Sequence, residues 1–225
     1  MLGQNAKPFQ ISTHDIDYVC VKAAMFSFSR LRGADPITGV EMASTGEVAC
    51  LGADVYEAYL LALEASCVRV PTKADADSGK TVLLSLNAAG TFAEEALKLS
   101  QLGFALVGSP GTTKALRSRG VPCDDIPDAN GDDWAPAAVE LLKSGDVCFC
   151  INVPSADKLN QVAEDPTAES NGYRLRTGAI AFGVGLTTNE KCAALLVESL
   201  CRKFSAAGSA PQPPRHLDEY YASAF

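Results

Sequence analysis

Three short segments hold the polar residues best suited to chemistry. The first is Gly108-Ser109-Pro110-Gly111-Thr112-Thr113, the second Asn152-Val153-Pro154-Ser155, and the third runs from Glu169 to Arg176 as ESNGYRLR, with Asn171 and Arg176 inside it. Backbone N–H groups at a helix start, joined by Ser and Thr hydroxyls, suit a phosphate or carboxylate. An Asn side chain donates and accepts at once. An Arg adds a fixed positive charge. The chemistry in view is capture of a small anion, not bond-making. Each segment also has a plainer reading. Ser-Pro-Gly-Thr-Thr is an ordinary helix start with turn residues. Asn152 could satisfy backbone groups at a strand end, and Arg176 could pair with a surface carboxylate. Two specific nucleotide motifs are missing. The first strand after the leading segment ends in Leu86-Asn87-Ala88-Ala89-Gly90 rather than G-x-G-x-x-G, and no Walker loop occurs.

The elements that must position these residues follow from the apolar pattern. Residues 81–86, 104–108, 121–126, 147–151 and 186–187 read as strands. Residues 93–102, 111–118, 135–143, 173–182 and 189–204 read as helices. Apolar runs without alternation, separated by helices, predict a parallel sheet covered on both faces. The fold class is α/β, a doubly wound, mostly parallel five-stranded sheet with helices on both faces, preceded by a small α+β segment. Ligands in such sheets bind outside the carboxyl ends of the strands, and all three polar segments arrive at that edge. The polar stretch 72–80, TKADADSGK, reads as a linker. The chain then divides into a leading segment 1–71, a linker, a domain at 81–204, and an irregular tail at 205–225.

Bulk properties narrow the partners. The chain has 225 residues, 47% of them hydrophobic, and a formal net charge of −8. That balance argues against nucleic acid, which needs clustered Lys and Arg. No stretch approaches the ~20 apolar residues of a membrane span, and the N-terminal residues lack the apolar core of a signal peptide. The eight cysteines are scattered and the two histidines, His14 and His216, join no cluster, so no metal site is expected. Most cysteines sit in apolar runs and read as buried, reduced thiols. Cys148 and Cys150, two apart on one strand, should share a face.

The leading segment carries the most specific pattern, FSFSRLRGADPITGVEMASTGEVACLG, from Phe26 to Gly52. Near-alternation at 26–31 predicts a half-buried strand, Val48-Ala49-Cys50-Leu51 a second, and Asp54 a cap for a helix over 55–66. The run resembles the end of the second synthetase half of carbamoyl-phosphate synthase large chains, where an R-G-A-D-P turn leads into E-M-x-S-T-G-E-V. Beyond it, LLSL, QLGFALVGSPGTTKALRSRGVP, CFCINVPS and GYRLRTGAIAFGVGLTTN resemble the regulatory domain of the same family, which has a methylglyoxal-synthase-like fold.

The resemblance implies an allosteric, effector-binding region of an ATP-dependent ligase. The intact enzyme would make carbamoyl phosphate from glutamine or ammonia, bicarbonate and ATP, with Mg2+ (or Mn2+). Its partners would be the rest of the synthetase chain and a glutamine amidotransferase. No E-x-N-x-R motif occurs in this sequence, so these residues by themselves are expected to be inactive and to need no cofactor. By position, the effector's anionic group would meet Ser109, Gly111, Thr112 and Thr113. Asn152, Ser155, Asn171 (or, by an equally good alignment, Gly172) and Arg176 complete the set. The effector would be a uridine nucleotide, IMP or an N-acetylglutamate-type acid. Where relatives often show two arginines, this chain has Arg176-Thr177. Where uridine-nucleotide-regulated relatives carry lysines, it has Asn87 to Thr91 and Asp124-Asp125. The tryptophan expected for acetylglutamate binding is not at its place, although Trp134 lies later in the same loop. The compartment would be the cytoplasm, or the mitochondrion for a urea-cycle type. Two other readings stand beside this one, a stand-alone lyase of methylglyoxal-synthase type and a docking module without a ligand.

Overall fold

The computed structural model describes residues 17–28, 34–37, 44–129, 131–155 and 170–205. Two strands, β1 (Val19–Met25) and β2 (Gly46–Gly52), pair antiparallel, with Val19 opposite Gly52 and Met25 opposite Gly46. Helix α1 (Val55–Ala65) follows directly, and the Asp54 carboxylate accepts from the N–H groups of Tyr56 and Glu57, as its sequence position predicts. The predicted strand at 26–31 is not found where it is described. Phe26–Phe28 lies beyond the end of β1, and the remainder of that run falls outside the described residues.

The stretch expected to be a linker is folded. Residues Lys73–Asp77 form a short helix, α2. Thr72 and Asp75 cap it reciprocally: the Thr72 hydroxyl accepts from the Asp75 N–H, and the Asp75 carboxylate accepts from the Thr72 N–H. Burial alone would raise the Asp75 carboxyl. Those hydrogen bonds and the nearby Arg69 outweigh it and hold the group below its ordinary value. Ala76 joins the main core. The sequence hid this because a capped single helical turn needs only one apolar residue.

The second unit is a five-stranded, all-parallel sheet in the order β5-β4-β3-β6-β7. Its strands are β3 (Thr81–Leu86), β4 (Ala105–Gly108), β5 (Asp124–Asp125), β6 (Val147–Val153) and β7 (Gly185–Thr187). The helices are α3 (Ala93–Leu102), α4 (Pro110–Arg117), α5 (Ala135–Lys143), α6 (Asn171–Ala181) and α7 (Glu190–Ser205). Gly103 ends α3 in the left-handed region, where a Cβ would stand 2.8 Å from the Ala76 carbonyl oxygen, so both the turn and the close approach call for glycine. Of the strand expected at 121–126, only Asp124–Asp125 pairs with β4. The tail from residue 206 lies outside the described residues.

Two clusters bury the sheet. Val82, Leu84 and Leu86 of β3 face Ala96, Leu99, Leu196 and Leu200 of α3 and α7, while Leu83 faces Ala138, Leu142, Leu175 and Ala179 of α5 and α6. β3 therefore alternates between two covered faces, which is why its centre, Val82-Leu83-Leu84, is an unbroken apolar run. The leading unit leans on the same core. Leu60 of α1 joins the α7 cluster, the Tyr59 hydroxyl donates to the Cys192 carbonyl at 3.1 Å, and Arg202 stacks over Tyr56.

Two cysteine expectations fail. Only Cys123, Cys148 and Cys150 are buried; Cys20, Cys67 and Cys192 are exposed, and all eight are free thiols. Cys148 and Cys150 also fall in opposite clusters. The register explains this. Thr81 pairs with Val147 but Val82 pairs with Phe149, so Cys148 is an extra residue at a bulge. One inserted residue breaks the two-residue alternation.

Candidate functional site

At the carboxyl ends of β3, β4 and β6 the structure opens a cavity of about 260 Å³. A pocket of this size suits a small acid or part of a mononucleotide. Ser109, Gly111, Thr112, Asn152, Ser155 and Arg176 line it. Six of the eight site residues expected from sequence thus converge.

The α4 side of the cavity is a helix start. Ser109 is the N-cap residue but makes no side-chain capping bond. Its hydroxyl instead donates to Thr112 Oγ1 at 3.0 Å, and that oxygen accepts from the Leu86 N–H at 2.9 Å. Thr112 therefore ties α4 to the end of β3 and is buried. Pro110 has no N–H, and space is open where a Cβ of Gly111 would project. The helix end presents backbone N–H groups and its partial positive charge to that space.

The opposite side centres on Arg176, only 2% exposed. Its Nη1 donates to Asn152 Oδ1 at 2.6 Å, and Asn152 Nδ2 in turn donates to the Ser85 carbonyl at 3.2 Å. Its Nε donates to Asp35 Oδ1 at 2.6 Å and its Nη2 to Asp35 Oδ2. This is a bidentate pair across 141 residues of chain. Asp35 belongs to the R-G-A-D-P motif of the leading segment, and Ile37, two residues on, lines the cavity. Burial pushes the Cys150 thiol of β6 up to about 12, against the opposing pull of the Arg176 guanidinium.

Two expected residues stand elsewhere. The Thr113 hydroxyl turns to the sheet edge and donates to the Asp124 carbonyl at 3.2 Å. Asn171 Nδ2 donates to the Asp132 carbonyl, and Gly172 takes its place in the lining. A helix turns about 100° per residue, so adjacent positions in the first turn of α6 face different ways. Sequence reasoning did not include Asp35, Ile37, Ser85, Asn87 or Trp134 among the site residues. Trp134 lies in the loop where a tryptophan was sought, and it does line the cavity. Asp35 gave no signal beyond its motif, because a turn aspartate reads as local. Asp124 and Asp125 pair with Arg117 at 3.8 and 2.9 Å.

Residues 91–188 match the family model described as an MGS-like domain. The chain carries an MGS-like domain. Beyond those bounds it is similar to much longer proteins. It is 36% identical over 211 residues to the multifunctional protein ura1 of Schizosaccharomyces pombe, an overlap that covers 90% of this chain and 9% of that one. It is 32% identical to the multifunctional protein CAD of Squalus acanthias, over 97% of this chain and 10% of the relative. It is 30% identical to the human mitochondrial carbamoyl-phosphate synthase [ammonia], over 89% of this chain and 13% of the relative. The chain thus spans about a tenth of the length of the curated relatives it matches. The similarity is to the C-terminal, MGS-domain-bearing region of carbamoyl-phosphate synthases.

Among the described residues no group of three or more His, Cys, Asp and Glu is arranged to hold a metal ion. No helix among them is long and apolar enough to cross a membrane.

Proposed function

We propose that this chain is the effector-binding C-terminal region of a carbamoyl-phosphate synthase, and that it regulates carbamoyl phosphate synthesis in the intact ligase. The observation that carries this reading is the cavity itself. It sets an uncapped helix start on one wall and the Arg176–Asn152 pair on the other. An anion between them meets the partial positive charge of the helix end on one side and, on the other, a guanidinium already paired with Asp35. Ser109, Asn152 and Ser155 supply hydrogen bonds, and Trp134 supplies an aromatic wall.

The ligand class is a small carboxylate or phosphate monoester. Among the described lining residues Arg176 carries the only charge, so a triphosphate would be poorly neutralised by them. An N-acetylglutamate-type acid or a monophosphate fits the charge better than UTP. Catalysis would reside in the rest of the synthetase chain, with glutamine nitrogen from an amidotransferase partner. These residues alone would make no carbamoyl phosphate. A cytoplasmic site goes with a pyrimidine role, and a mitochondrial one with a urea-cycle role.

Thermal denaturation with N-acetylglutamate, UMP, IMP and UTP tests the reading. A ligand selective for the folded state raises the midpoint, by the equivalent of about 2.7 kcal/mol at one hundred times its Kd. A rise with at least one of the four, lost in Asn152→Ala, is the expected result. No rise with any of them would leave a docking module as the better account. The docking reading has its own support, since Arg176 already holds an internal carboxylate. Turnover of a triose phosphate to methylglyoxal would instead favour the lyase reading.

A further inference from the structure

We propose that Asp35 is a built-in competitor for the anion site. It occupies Arg176 in place of a ligand, so that an anion entering the cavity displaces the segment 34–37. The proposal rests on reading the cavity as an anion site and adds how that site is regulated.

The argument starts from donor capacity. A guanidinium offers its N–H groups along edges that match a carboxylate or phosphate two at a time. Asp35 takes the Nε/Nη2 edge with both its oxygens, and Asn152 takes Nη1. The bidentate edge that an external carboxylate would use is filled by an internal one. The pair is also shielded, with Arg176 2% and Asp35 14% exposed at their side chains. An incoming anion cannot simply share the arginine, because two carboxylates a few ångströms apart repel in a site of low dielectric.

The location of Asp35 gives this pairing a consequence. The aspartate lies in the segment that leads into β2, outside the MGS-like domain of residues 91–188. The same segment places Ile37 on the cavity wall. A ligand that takes Arg176 from Asp35 therefore changes the cavity and loosens its hold on the leading unit in one event. Competition for one guanidinium makes the two states exclusive. Ligand binding and docking of the segment then oppose each other by the same factor in both directions. This is a physical route from the cavity to residues outside the domain, carried by one charge pair.

The test uses the full chain, with inorganic phosphate and UMP as probes in calorimetric titrations. Asp35→Asn keeps the size of the side chain but removes its charge and one of its two acceptors, which breaks the bidentate hold on the Nε/Nη2 edge. It should bind at least one probe about tenfold tighter than the parent chain, within the usual range of such couplings. Arg176→Gln should show no such gain, and the double variant should lose it. Equal affinity of the parent and Asp35→Asn would overturn the competition while leaving the anion site intact. Absence of binding in both would overturn the site reading and this proposal together. Should Asp35→Asn fail to fold, 15N NMR of the parent chain decides. The Arg176 Nε–H and Ile37 amide resonances should move together as phosphate is added. Saturation that moves neither would overturn the displacement.

Discussion

The two walls of the cavity are built on opposite principles. The α4 wall is left open: Ser109 caps nothing, Pro110 has no N–H, and Gly111 faces empty space. The α6 wall is saturated, with Asn152 and Asp35 accepting from Nη1, Nη2 and Nε of Arg176. An anion meets the first wall without breaking anything and the second only by exchange. The comparison teaches that charge and availability are separate. The stronger charge lies on the wall that is already occupied, and the weaker helix end is free to make first contact.

The largest effect expected is at the saturated wall. Arg176→Met leaves Asp35 and Asn152 facing an apolar side chain and should cost about 3–5 kcal/mol, read by urea denaturation. A loss under about 1 kcal/mol, the range of exposed ion pairs, would mean the pair is not structural and would erase the contrast. Gly172→Ala comes next. Its Cβ would stand 2.9 Å from Arg176 Nη1, an end that Asn152 and Asp35 hold in place. A cost of about 1–3 kcal/mol follows from overpacking, together with weaker binding of anionic probes. Thr112→Val removes the oxygen that accepts from the buried Leu86 N–H and should cost about 1–3 kcal/mol. The open wall should behave differently. Gly111→Ala should leave stability unchanged or raise it by up to about 1 kcal/mol, while the methyl group reduces phosphate affinity in titration. Destabilisation there would show that the helix end is not open.

A pH series sharpens the same contrast. The Cys150 thiol rises from an ordinary value of 9.0 to about 12 in the folded chain. A group whose folded pKa is raised contributes its full stability below the unfolded value and loses it as pH climbs towards the folded one. Stability should therefore decline between pH 9 and 12, and Cys150→Ala should flatten that slope. At neutral pH, iodoacetamide should label Cys20, Cys67 and Cys192 well before Cys148 and Cys150, as read by peptide mass spectrometry.

The sheet was legible because burial on both faces writes itself as uninterrupted apolar runs such as VCFCI, and Gly103 marks a helix end without ambiguity. The cavity was legible because strand ends and helix starts meet at one edge by topology. Local resolution was lower. Thr113 and Asn171 sit one position from lining residues, and only the helical phase decides which faces the cavity. Asp35 could not be foreseen, since its partner lies 141 residues away and turn aspartates usually serve their own backbone. The capped turn at 73–77 escaped notice because its stability comes from Thr72 and Asp75 rather than from an apolar stripe.

The bulge in β6 has a further consequence, in toxicology. A C-x-C pair on a regular strand would offer two sulfurs on one side, a ready chelate for trivalent arsenicals and soft heavy metals. The extra residue at Cys148 sets the two sulfurs on opposite faces of the sheet. Attack on this chain by such agents should begin at the exposed single thiols, one sulfur at a time, and leave the two buried thiols of β6 untouched.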